Sequence, residues 1–339
     1  MALMQALVVE SPGNAVVRQV PVPQAKKGEI VVQVKSAGIC GTDLHIFKGE
    51  YLAQYPIIPG HEFAGVVTEV GEGVEGFRVG DRVCADPNLS CGKCRFCMSG
   101  RYNHCDNYVT IGVTIAGAMA EYVAVPAELA LLLPEKLTFA EGAFVEPVAC
   151  VVHAMNRLRP SVADKALLFG AGAMGQQWVQ ALARSGVSEL TVVDLAEEKL
   201  ALALEWGATR VVRAEDAETA LRDFTGKNGY DIVVDTTGVP AVIENLFQYL
   251  APRGRYVQFG VTNNQATVKL PTFDLYHYEW ELIGSMALNH TMAPALAWLE
   301  ADRLKIGHLV SRELTLEGAV RFFEGERYSQ DMKVQVTFE

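Results

Sequence analysis

The sequence predicts an α/β protein made of a mainly-β domain and a doubly wound parallel-sheet domain. Up to about residue 150, short Val-rich runs alternate with Gly, Pro and Asp, a pattern typical of strands joined by tight turns. From about residue 165, apolar strand runs alternate with helical stretches, which is typical of a parallel sheet covered by helices. We therefore expect a first domain over residues 1–152, to which residues 291–339 return, and a second domain over residues 153–290.

The individual elements follow from these runs in chain order. In the first domain we expect strands at MQALVVE, EIVVQVKSAG, EFAGVVTEVG, GDRVCA and AEYVAV. In the second domain, strands at KALLFG, ELTVVD, TRVV, YDIVVDTTG and RYVQFG alternate with helical stretches that include AEEKLALALEWG and PAVIENLFQYLA. Past residue 290 we expect helix, and then a final alternating strand, KVQVTF, that returns to the first domain.

Composition limits the class of function. Half of the 339 residues are hydrophobic and a fifth are charged, which is the balance of a soluble globular enzyme. A net charge of −11 argues against a nucleic-acid partner. Because the sequence shows neither a signal-like start nor an apolar run of about 18 residues, we expect a cytoplasmic protein with no membrane partner.

A glycine-rich turn in FGAGAMGQQW predicts a dinucleotide site. Gly170 permits the tight turn, Gly172 admits a pyrophosphate close to the backbone, and Gly175 lets the following helix pack closely. Ala173 and Met174, between the last two glycines, belong to the same candidate cofactor-binding set. A Gly-x-Gly pattern can also be only a turn, but here it lies between a predicted strand and a predicted helix.

An acid follows at the expected distance. Asp194 ends the predicted strand ELTVVD, 19 residues after Gly175. A carboxylate at this place accepts hydrogen bonds from the adenosine ribose and repels a 2′-phosphate, which favours NAD over NADP. The alternative is an ordinary strand-end or helix-capping aspartate.

Four cysteines within fifteen residues form a second candidate site. Cys91, Cys94, Cys97 and Cys105 have the spacing C-x2-C-x2-C-x7-C, which suits the closed tetrahedral coordination of structural zinc. The last spacing differs from that of a bacterial ferredoxin cluster, and disulfides are disfavoured in a cytoplasmic chain. Structural zinc is the preferred interpretation, and an iron-sulfur centre or redox-active thiols are the alternatives.

A third set combines sulfur, nitrogen and oxygen donors. Cys40, His61, Glu62 and Glu146 lie in SAGICGTDLH, IIPGHEFAG and FVEPVAC. Together they offer the ligand types of a catalytic zinc site with one open position. Taken singly, each has an ordinary interpretation as a core cysteine, a surface or core histidine, or a glutamate at a helix start.

The order of several short segments along the chain resembles that of the zinc-dependent medium-chain dehydrogenases. These segments are CGTDLH, GHEFAGVV, GDRV, the four-cysteine lobe, AEYVAVP and GAGAMG. The resemblance spans nearly the whole chain and implies a GroES-like catalytic domain around a Rossmann domain. Glu146 followed by Pro resembles the polyol and sorbitol dehydrogenase branch.

The resemblance also implies roles. Cys40 and His61 would bind catalytic zinc, with Glu62 and Glu146 as alternating direct or water-mediated ligands, and Asp43 would orient His61. Zinc lowers the pKa of an alcohol hydroxyl, so that hydride can pass to NAD. Thr42 and His45 would carry the proton away through the nicotinamide ribose. The implied cofactor contacts are Lys199 beside Asp194, and Thr237, Gly238, Gly260 and Val261 in later loops.

One segment departs from the family pattern. Animal-type polyol dehydrogenases carry an Arg-Tyr pair where Ala287 and Leu288 stand in GSMALNH. The expected enzyme holds two zinc ions and uses NAD to oxidise a secondary alcohol of a polyol or another small molecule, and it forms a homo-oligomer, a dimer or a tetramer. L-Threonine 3-dehydrogenase and a non-catalytic NAD-binding protein are the alternatives. Candidate apolar pocket residues are Phe47, Tyr51, Ile115 and Met286, and the alternative for the aromatic and Met side chains among them is a place in the core.

Overall fold

The structure is a computed structural model that describes residues 2–51, 53–226 and 228–339. The chain divides into two compact units. The first unit comprises Met1–Ala149 and Leu288–Glu339, and the second comprises Cys150–Ala287.

The amino-terminal part of the first unit is mainly β-structure. Its strands are β1 (Leu3–Ser11), β2 (Asn14–Pro21), β3 (Glu29–Gly38), β4 (Glu62–Val70), β5 (Arg82–Ala85), β6 (Asn88–Leu89), β7 (Val109–Thr110), β8 (Tyr122–Pro126) and β9 (Ala130–Leu132). Its helices are α1 (Gly41–Lys48) and α2 (Phe139–Ala143), and α3 (Val145–Leu158) begins in this unit and ends in the second. Short 3-10 turns lie at Cys97–Ser99, Tyr102–His104 and Ala127–Leu129.

The second unit alternates strands and helices, as the apolar rhythm predicts. Its strands are β10 (Lys165–Phe169), β11 (Glu189–Asp194), β12 (Arg210–Arg213), β13 (Tyr230–Asp235), β14 (Leu250–Gln258) and β15 (Glu281–Gly284). Its further helices are α4 (Ala173–Ala183), α5 (Glu197–Glu205), α6 (Ala217–Thr225), α7 (Pro240–Leu246) and α8 (Thr272–His277), with 3-10 turns at Ala214–Asp216 and Phe247–Tyr249.

The carboxy-terminal segment belongs to the first unit. It contains α9 (Met292–Glu300), a 3-10 turn at Gly307–Leu309, β16 (Val310–Leu314), α10 (Leu316–Glu324) and β17 (Lys333–Thr337). Strand β17 pairs antiparallel with β3, so that Gln335 lies opposite Gly38.

The main sheet of the first unit is organised around β3. Its order is β16-β17-β3-β4-β5-β9, and β8 pairs with β3 as well. Alternate β3 residues Ile30, Val32 and Val34 are buried in one apolar cluster with Phe63 and Val67 of β4. This period of two is the reason that the Val-rich run forms a strand with one face in the core.

The sheet of the second unit is parallel, with the order β12-β11-β10-β13-β14-β15. This is the 3-2-1-4-5-6 order of the doubly wound dinucleotide-binding fold, so the predicted fold class is confirmed. One helix prediction was slightly too long: in PAVIENLFQYLA the α-helix ends at Leu246, a 3-10 turn covers Phe247–Tyr249, and strand β14 begins at Leu250. Pairing of Leu250 with Tyr230 draws the following residues into β14 instead.

Candidate active site

Antiparallel pairing brings distant donor residues together in the first unit. Gly38, the last residue of β3, lies opposite Glu62, the first residue of β4. His61 directly precedes β4, and Cys40 lies two residues beyond β3, where it caps helix α1. The junction between two neighbouring strands therefore collects one sulfur, one imidazole and one carboxylate.

The ligand atoms of Cys40, His61 and Glu62 all lie within 4.8 Å of one another. His61 and Glu62 are buried, and Cys40 is half-buried. Nδ1 of His61 is buried without a hydrogen bond among the described residues. This donor set fits a zinc ion with an open coordination position. Glu146, predicted as a fourth ligand, is buried on α3 but is not part of this three-residue set.

Lys333 is a buried cation beside these ligands that sequence reasoning missed. Its Nζ contacts Oε2 of Glu62 and lies 5.9 Å from the centre of the Phe144 ring. Gly38 lies between the two side chains on the intervening strand, and a Cβ there would collide with both the Glu62 carboxylate and Cε of Lys333. The available signal was a lysine at the start of an otherwise buried apolar strand.

The charges of this centre influence one another strongly. Burial alone lowers the pKa of Lys333, but the charges of Glu62, Cys40 and Glu146 outweigh it and the pKa is raised. Burial likewise lowers the pKa of His61, yet Asp43 and Cys40 raise it well above its usual range. The centre is thus an electronegative environment that attracts cations.

Asp43 connects the two segments that carry the ligands of this centre. Its Oδ2 accepts the Cys40 N–H at 2.8 Å, and its Oδ1 accepts the Gly60 N–H at 3.2 Å. The same Oδ1 lies 3.6 Å from Nδ1 of His61. This fully buried carboxylate holds the start of α1 against the segment that carries the histidine.

The candidate proton-relay residues lie along α1. The Thr42 hydroxyl is 3.8 Å from the Cys40 sulfur. His45 is one helical turn further on, and its Nδ1 lies 2.8 Å from Oε2 of Glu50. Gly49 ends the helix in the left-handed conformation (φ 78°), which lets the Glu50 N–H donate back to the His45 carbonyl at 2.8 Å. Glu50 is a second residue that sequence reasoning missed.

The four-cysteine segment folds into a compact thiol cluster. The ligand sulfurs of Cys91, Cys94, Cys97 and Cys105 lie within 4.8 Å of one another, and the cysteines are not disulfide-bonded. Cys94 Sγ is 3.5 Å from Cys97 Sγ and 4.0 Å from Cys105 Sγ. Zinc at about 2.3 Å from four sulfurs holds them about 3.8 Å apart, so the observed separations fit a tetrahedral ion.

Backbone amides point at these sulfurs. The Cys91 and Asn107 N–H groups donate to Cys105 Sγ at 3.2 and 3.3 Å, and the Cys97 N–H donates to Cys94 Sγ at 3.5 Å. Hydrogen bonds from backbone N–H groups lower the pKa of Cys91 to about 6 and also lower the pKa of Cys94. Amide donors therefore favour the thiolate form that a metal requires.

The glycine motif of the second unit forms the turn from β10 into α4. Gly170 has a φ of 96°, which favours glycine. A Cβ on Gly175 would collide with the Gly170 carbonyl oxygen, whereas a Cβ on Gly172 would meet no protein atom within 4 Å. Open space beside Gly172, where α4 begins at Ala173, fits a pyrophosphate at a helix N-terminus.

Asp194 lies at the end of β11, next to this turn. Its Oδ2 accepts the Ala171 N–H at 2.6 Å, and its Oδ1 accepts the Ala196 N–H at 2.9 Å. The carboxylate therefore holds the glycine-rich turn. Lys199 is half-buried on α5, and its carbonyl oxygen accepts the Gln176 amide at 2.7 Å.

The later candidate cofactor residues lie in two loops after β13 and β14. Thr237 and Gly238 follow β13, and Gly260 and Val261 follow β14. Because β13 and β14 are parallel neighbours, both loops lie at the edge of the sheet that also carries the glycine-rich turn.

Of the candidate pocket residues, Phe47 is misassigned. It is buried in the apolar core, and its ring centroid lies 5.7 Å from that of Phe323 on α10. Tyr51, Ile115 and Met286 are partly exposed. The pKa of Tyr51 is raised by burial, and His61 lowers it and Cys40 raises it by smaller amounts, so Tyr51 lies within electrostatic range of the candidate metal ligands.

Family models cover most of the chain. Residues 26–135 match the alcohol dehydrogenase GroES-like domain, and residues 173–301 match the zinc-binding dehydrogenase domain.

Curated relatives align over nearly their full length. D-arabinitol dehydrogenase 1 from Uromyces fabae is 31% identical, over 99% of this chain and 97% of the relative. D-altritol 5-dehydrogenase from Agrobacterium fabrum is 34% identical, over 94% and 95%. L-threonine 3-dehydrogenase from Bacillus velezensis is 30% identical, over 98% of each chain.

Solved structures share the fold. A zinc-binding dehydrogenase from Sinorhizobium meliloti bound to NADP is 31% identical, with a TM-score of 0.95 over both complete chains. Escherichia coli RspB in complex with NADH is 28% identical, with a TM-score of 0.92 over both complete chains.

The fold, the two sets of candidate metal ligands and the family matches together define an oxidoreductase of the zinc-binding dehydrogenase class. The chain belongs to the zinc-dependent medium-chain dehydrogenase family, in its polyol dehydrogenase branch. Among the described residues, no helix combines the length and the apolarity that a bilayer crossing requires.

Proposed function

We propose that this protein uses NAD to oxidise a secondary hydroxyl of a polyol or sugar alcohol to a ketone. The observation that carries the proposal is the meeting of Cys40, His61 and Glu62 within 4.8 Å. A soft sulfur, an imidazole and a carboxylate are the ligands of catalytic rather than structural zinc. When bound, zinc supplies a Lewis acid that lowers the pKa of an alcohol hydroxyl.

The protein's own residues prepare this centre. Asp43 fixes the segment before His61 through the Gly60 N–H and lies beside the imidazole, so it would set the ring orientation. Lys333 offsets part of the negative charge of Glu62 and Glu146. Glu62 and Glu146 would supply alternating carboxylate ligands for zinc, and Lys333 would pair with Glu62 when that carboxylate is not a direct ligand.

Thr42 and His45 would remove the proton of the substrate hydroxyl. The Thr42 hydroxyl lies next to a candidate metal ligand, and His45 lies towards the end of the same helix. Because Glu50 contacts Nδ1 of His45, it leaves Nε2 as the nitrogen that exchanges protons with the relay. The relay would run from substrate through Thr42 to His45 and then to solvent.

The cysteine lobe would hold a second zinc ion with a structural role. Four protein sulfurs fill a tetrahedral coordination shell and leave no open position for a substrate. A correctly loaded chain would therefore contain two zinc ions, of which only the one bound by Cys40 and His61 is required for chemistry.

NAD is the proposed cofactor because Asp194 presents a negative charge beside the glycine-rich turn. The solved relatives were crystallised with NADP and with NADH, so the choice needs its own test. Asp194→Asn removes the charge but keeps one acceptor oxygen, and we expect the NADP/NAD ratio of kcat/KM to rise about tenfold. Glu198→Gln on the neighbouring helix is the matched control, and an unchanged ratio in both variants would remove this role from Asp194.

The substrate class rests on the polyol relatives. L-Threonine remains the second candidate because one relative is an L-threonine 3-dehydrogenase. Ala287 and Leu288 replace the Arg-Tyr pair of animal-type enzymes, so recognition of hydroxyl groups would rely on other side chains.

We also propose a homo-oligomer. Strand β15 is an edge strand of its sheet, with Leu282 exposed on it and Phe273 and Tyr276 exposed on the preceding helix. Exposed apolar groups at an open sheet edge are typical of protein interfaces. Light scattering of the purified protein distinguishes a monomer from a dimer or tetramer.

One experiment tests the proposed activity. The purified protein is analysed for zinc and then incubated with NAD and a panel of polyols, sugar alcohols, vicinal diols and L-threonine. We expect two zinc ions per chain and NADH production with at least one polyol. Zinc below two ions per chain together with no NAD reduction on the whole panel would favour the non-catalytic alternative.

A further inference from the structure

Asp235, at the end of β13, gathers hydrogen bonds from both later cofactor loops. Its Oδ1 accepts the Thr237 N–H at 3.1 Å and the Thr237 hydroxyl at 2.6 Å. Its Oδ2 accepts the Gly238 N–H at 3.0 Å and the Gln258 Nε2 amide at 3.1 Å. The side chain is fully buried, and all four donors are neutral groups, three of them in the loop directly after β13.

The loop after β14 is held by the same residue. The backbone carbonyl of Asp235 accepts the Phe259 and Gly260 N–H groups at 3.1 and 2.9 Å. Gln258 donates to the Gly260 carbonyl at 2.6 Å as well as to Asp235, and the Tyr256 hydroxyl donates to Oε1 of Gln258 at 2.5 Å. The tyrosine therefore orients the glutamine so that its NH₂ group faces the carboxylate.

The neighbouring residue extends the connection to the glycine-rich turn. The Thr236 hydroxyl contacts the carbonyl oxygens of Phe169 and Gly170 at 2.9 and 3.0 Å. The Thr236 N–H also donates to Phe169. Consecutive residues 235 and 236 thus hold three loops that follow three adjacent strands of one sheet.

Close backbone contact shows that the loops are fitted to each other. A Cβ on Gly238 would collide with the Val261 carbonyl oxygen, and a Cβ on Gly260 would collide with the Gly238 nitrogen and lie 2.9 Å from Asp235 Oδ2. The loops can meet at this distance only because both positions are glycine and because Asp235 satisfies the donors between them.

We propose that Asp235 is the positioning residue for the nicotinamide cofactor, which it affects through these loops without a contact of its own. This inference rests on the proposed function, since it assumes that the loops at 237–238 and 260–261 line the dinucleotide. An ionised carboxylate suits the place because it only accepts hydrogen bonds and has lone pairs for all four donors. An asparagine would direct its own NH₂ group at one pair of donors and leave them unpaired.

The test compares the two acids of strand β13. Asp235→Asn keeps the shape and removes two acceptor positions, and we expect isothermal titration to show NADH binding weakened about tenfold or more. The KM for NAD should rise by a similar factor, while kcat at saturating NAD and zinc content change little. Asp231→Asn is the matched control, because Asp231 accepts one backbone N–H at the opposite end of the same strand. Its NADH affinity should stay within about twofold of the wild type.

A conservative change separates positioning from general loss of structure. Asp235→Glu keeps two acceptor oxygens, and its NADH affinity should lie between that of Asp235→Asn and that of the wild type. If Asp235→Asn does not fold, Gln258→Leu removes the amide that links Asp235 to Gly260, together with the acceptor of the Tyr256 hydroxyl, and should weaken NADH binding about threefold.

The outcomes distinguish the two proposals. A wild-type protein that fails to bind NADH contradicts the proposed function. A wild-type protein that binds NADH, with Asp235→Asn binding it equally well or Asp231→Asn losing as much, contradicts only the positioning role.

Discussion

The two cysteine-containing sites of the first unit are built in different ways. The four-cysteine lobe takes its sulfurs from residues 91–105, a single continuous segment. The centre at Cys40 takes its donors from the ends of β3 and β4, and its buried cation from β17, almost 300 residues along the chain from Cys40. The lobe is therefore specified locally, whereas the Cys40 centre depends on the folding of the whole sheet.

The sites also differ in how their charges are balanced. In the lobe, backbone N–H groups donate to the sulfurs. Around Cys40, charged side chains contact the donor residues instead. Asp43 accepts the Cys40 N–H, and Lys333 contacts the Glu62 carboxylate. Backbone donors come with any tight turn, but a buried ion pair requires both partners in place. A closed structural site can thus be stable by itself, and an open catalytic site requires support from remote residues.

The largest effect that separates the sites should come from Cys40→Ser. We expect one zinc ion per chain to be lost, with a fall in kcat/KM of at least about a thousandfold, because the Lewis acid is removed while the lobe keeps its own ion. Elemental analysis and NAD reduction measure the two quantities.

Cys84→Ala is the matched control for this change. Cys84 is buried in β5 and belongs to neither donor set, and burial raises the pKa of its thiol to about 12. Its alanine variant should keep two zinc ions. Retention of both ions and of activity by Cys40→Ser would contradict the assignment of the catalytic site.

Removal of the remote cation should destabilise the protein strongly. Lys333→Met leaves the Glu62 carboxylate buried without its partner, and we expect about 3–5 kcal/mol less stability in urea unfolding of chelator-treated protein. Lys35→Met, on the neighbouring strand β3 with an exposed bond to the terminal carbonyl, should change it by less than about 1 kcal/mol. Equal losses in both variants would show that the ion pair has no special weight.

A smaller and more local effect is expected from the lobe. Cys94→Ser should release the structural ion and lower Tm by about 4 °C, equivalent to about 3 kcal/mol for a chain of this length. The catalytic ion and kcat measured at low temperature should remain. Loss of both ions together would mean that the lobe and the Cys40 centre are not independent.

The contrast explains how far sequence alone reaches. The lobe, the glycine-rich turn and the parallel sheet were predictable because their signals lie within short segments with fixed spacing or period. The donors around Cys40 were weak singly and became a site only through the family resemblance, and the structure then brought three of them together. Glu146, as a direct ligand, remains a prediction.

What sequence missed depends on contacts between distant strands. The role of Lys333 depends on the pairing of β17 beside β3. The need for glycine at position 38 depends on the Glu62 and Lys333 side chains that lie beside it. Phe47 was placed in a pocket because its packing against Phe323 is not visible from spacing. The sequence did contain a signal for Asp235, because it is an acid at the end of a predicted parallel strand, as Asp194 is. The four donors that its carboxylate accepts could be identified only from the structure.

The smallest expected effect concerns Glu50, whose contact with His45 is partly exposed to solvent. Glu50→Gln keeps a hydrogen-bond acceptor but removes the charge, so the ring should be held less firmly and kcat should fall about two- to fivefold, as for other exposed pairs. Zinc content and NADH binding should not change. Glu72→Gln breaks the exposed pair with Lys27 and should leave kcat unaltered. A fall in kcat of equal size in both variants would show that Glu50 does not act through His45, whereas a fall in Glu50→Gln alone extends the support of the Cys40 centre to the surface.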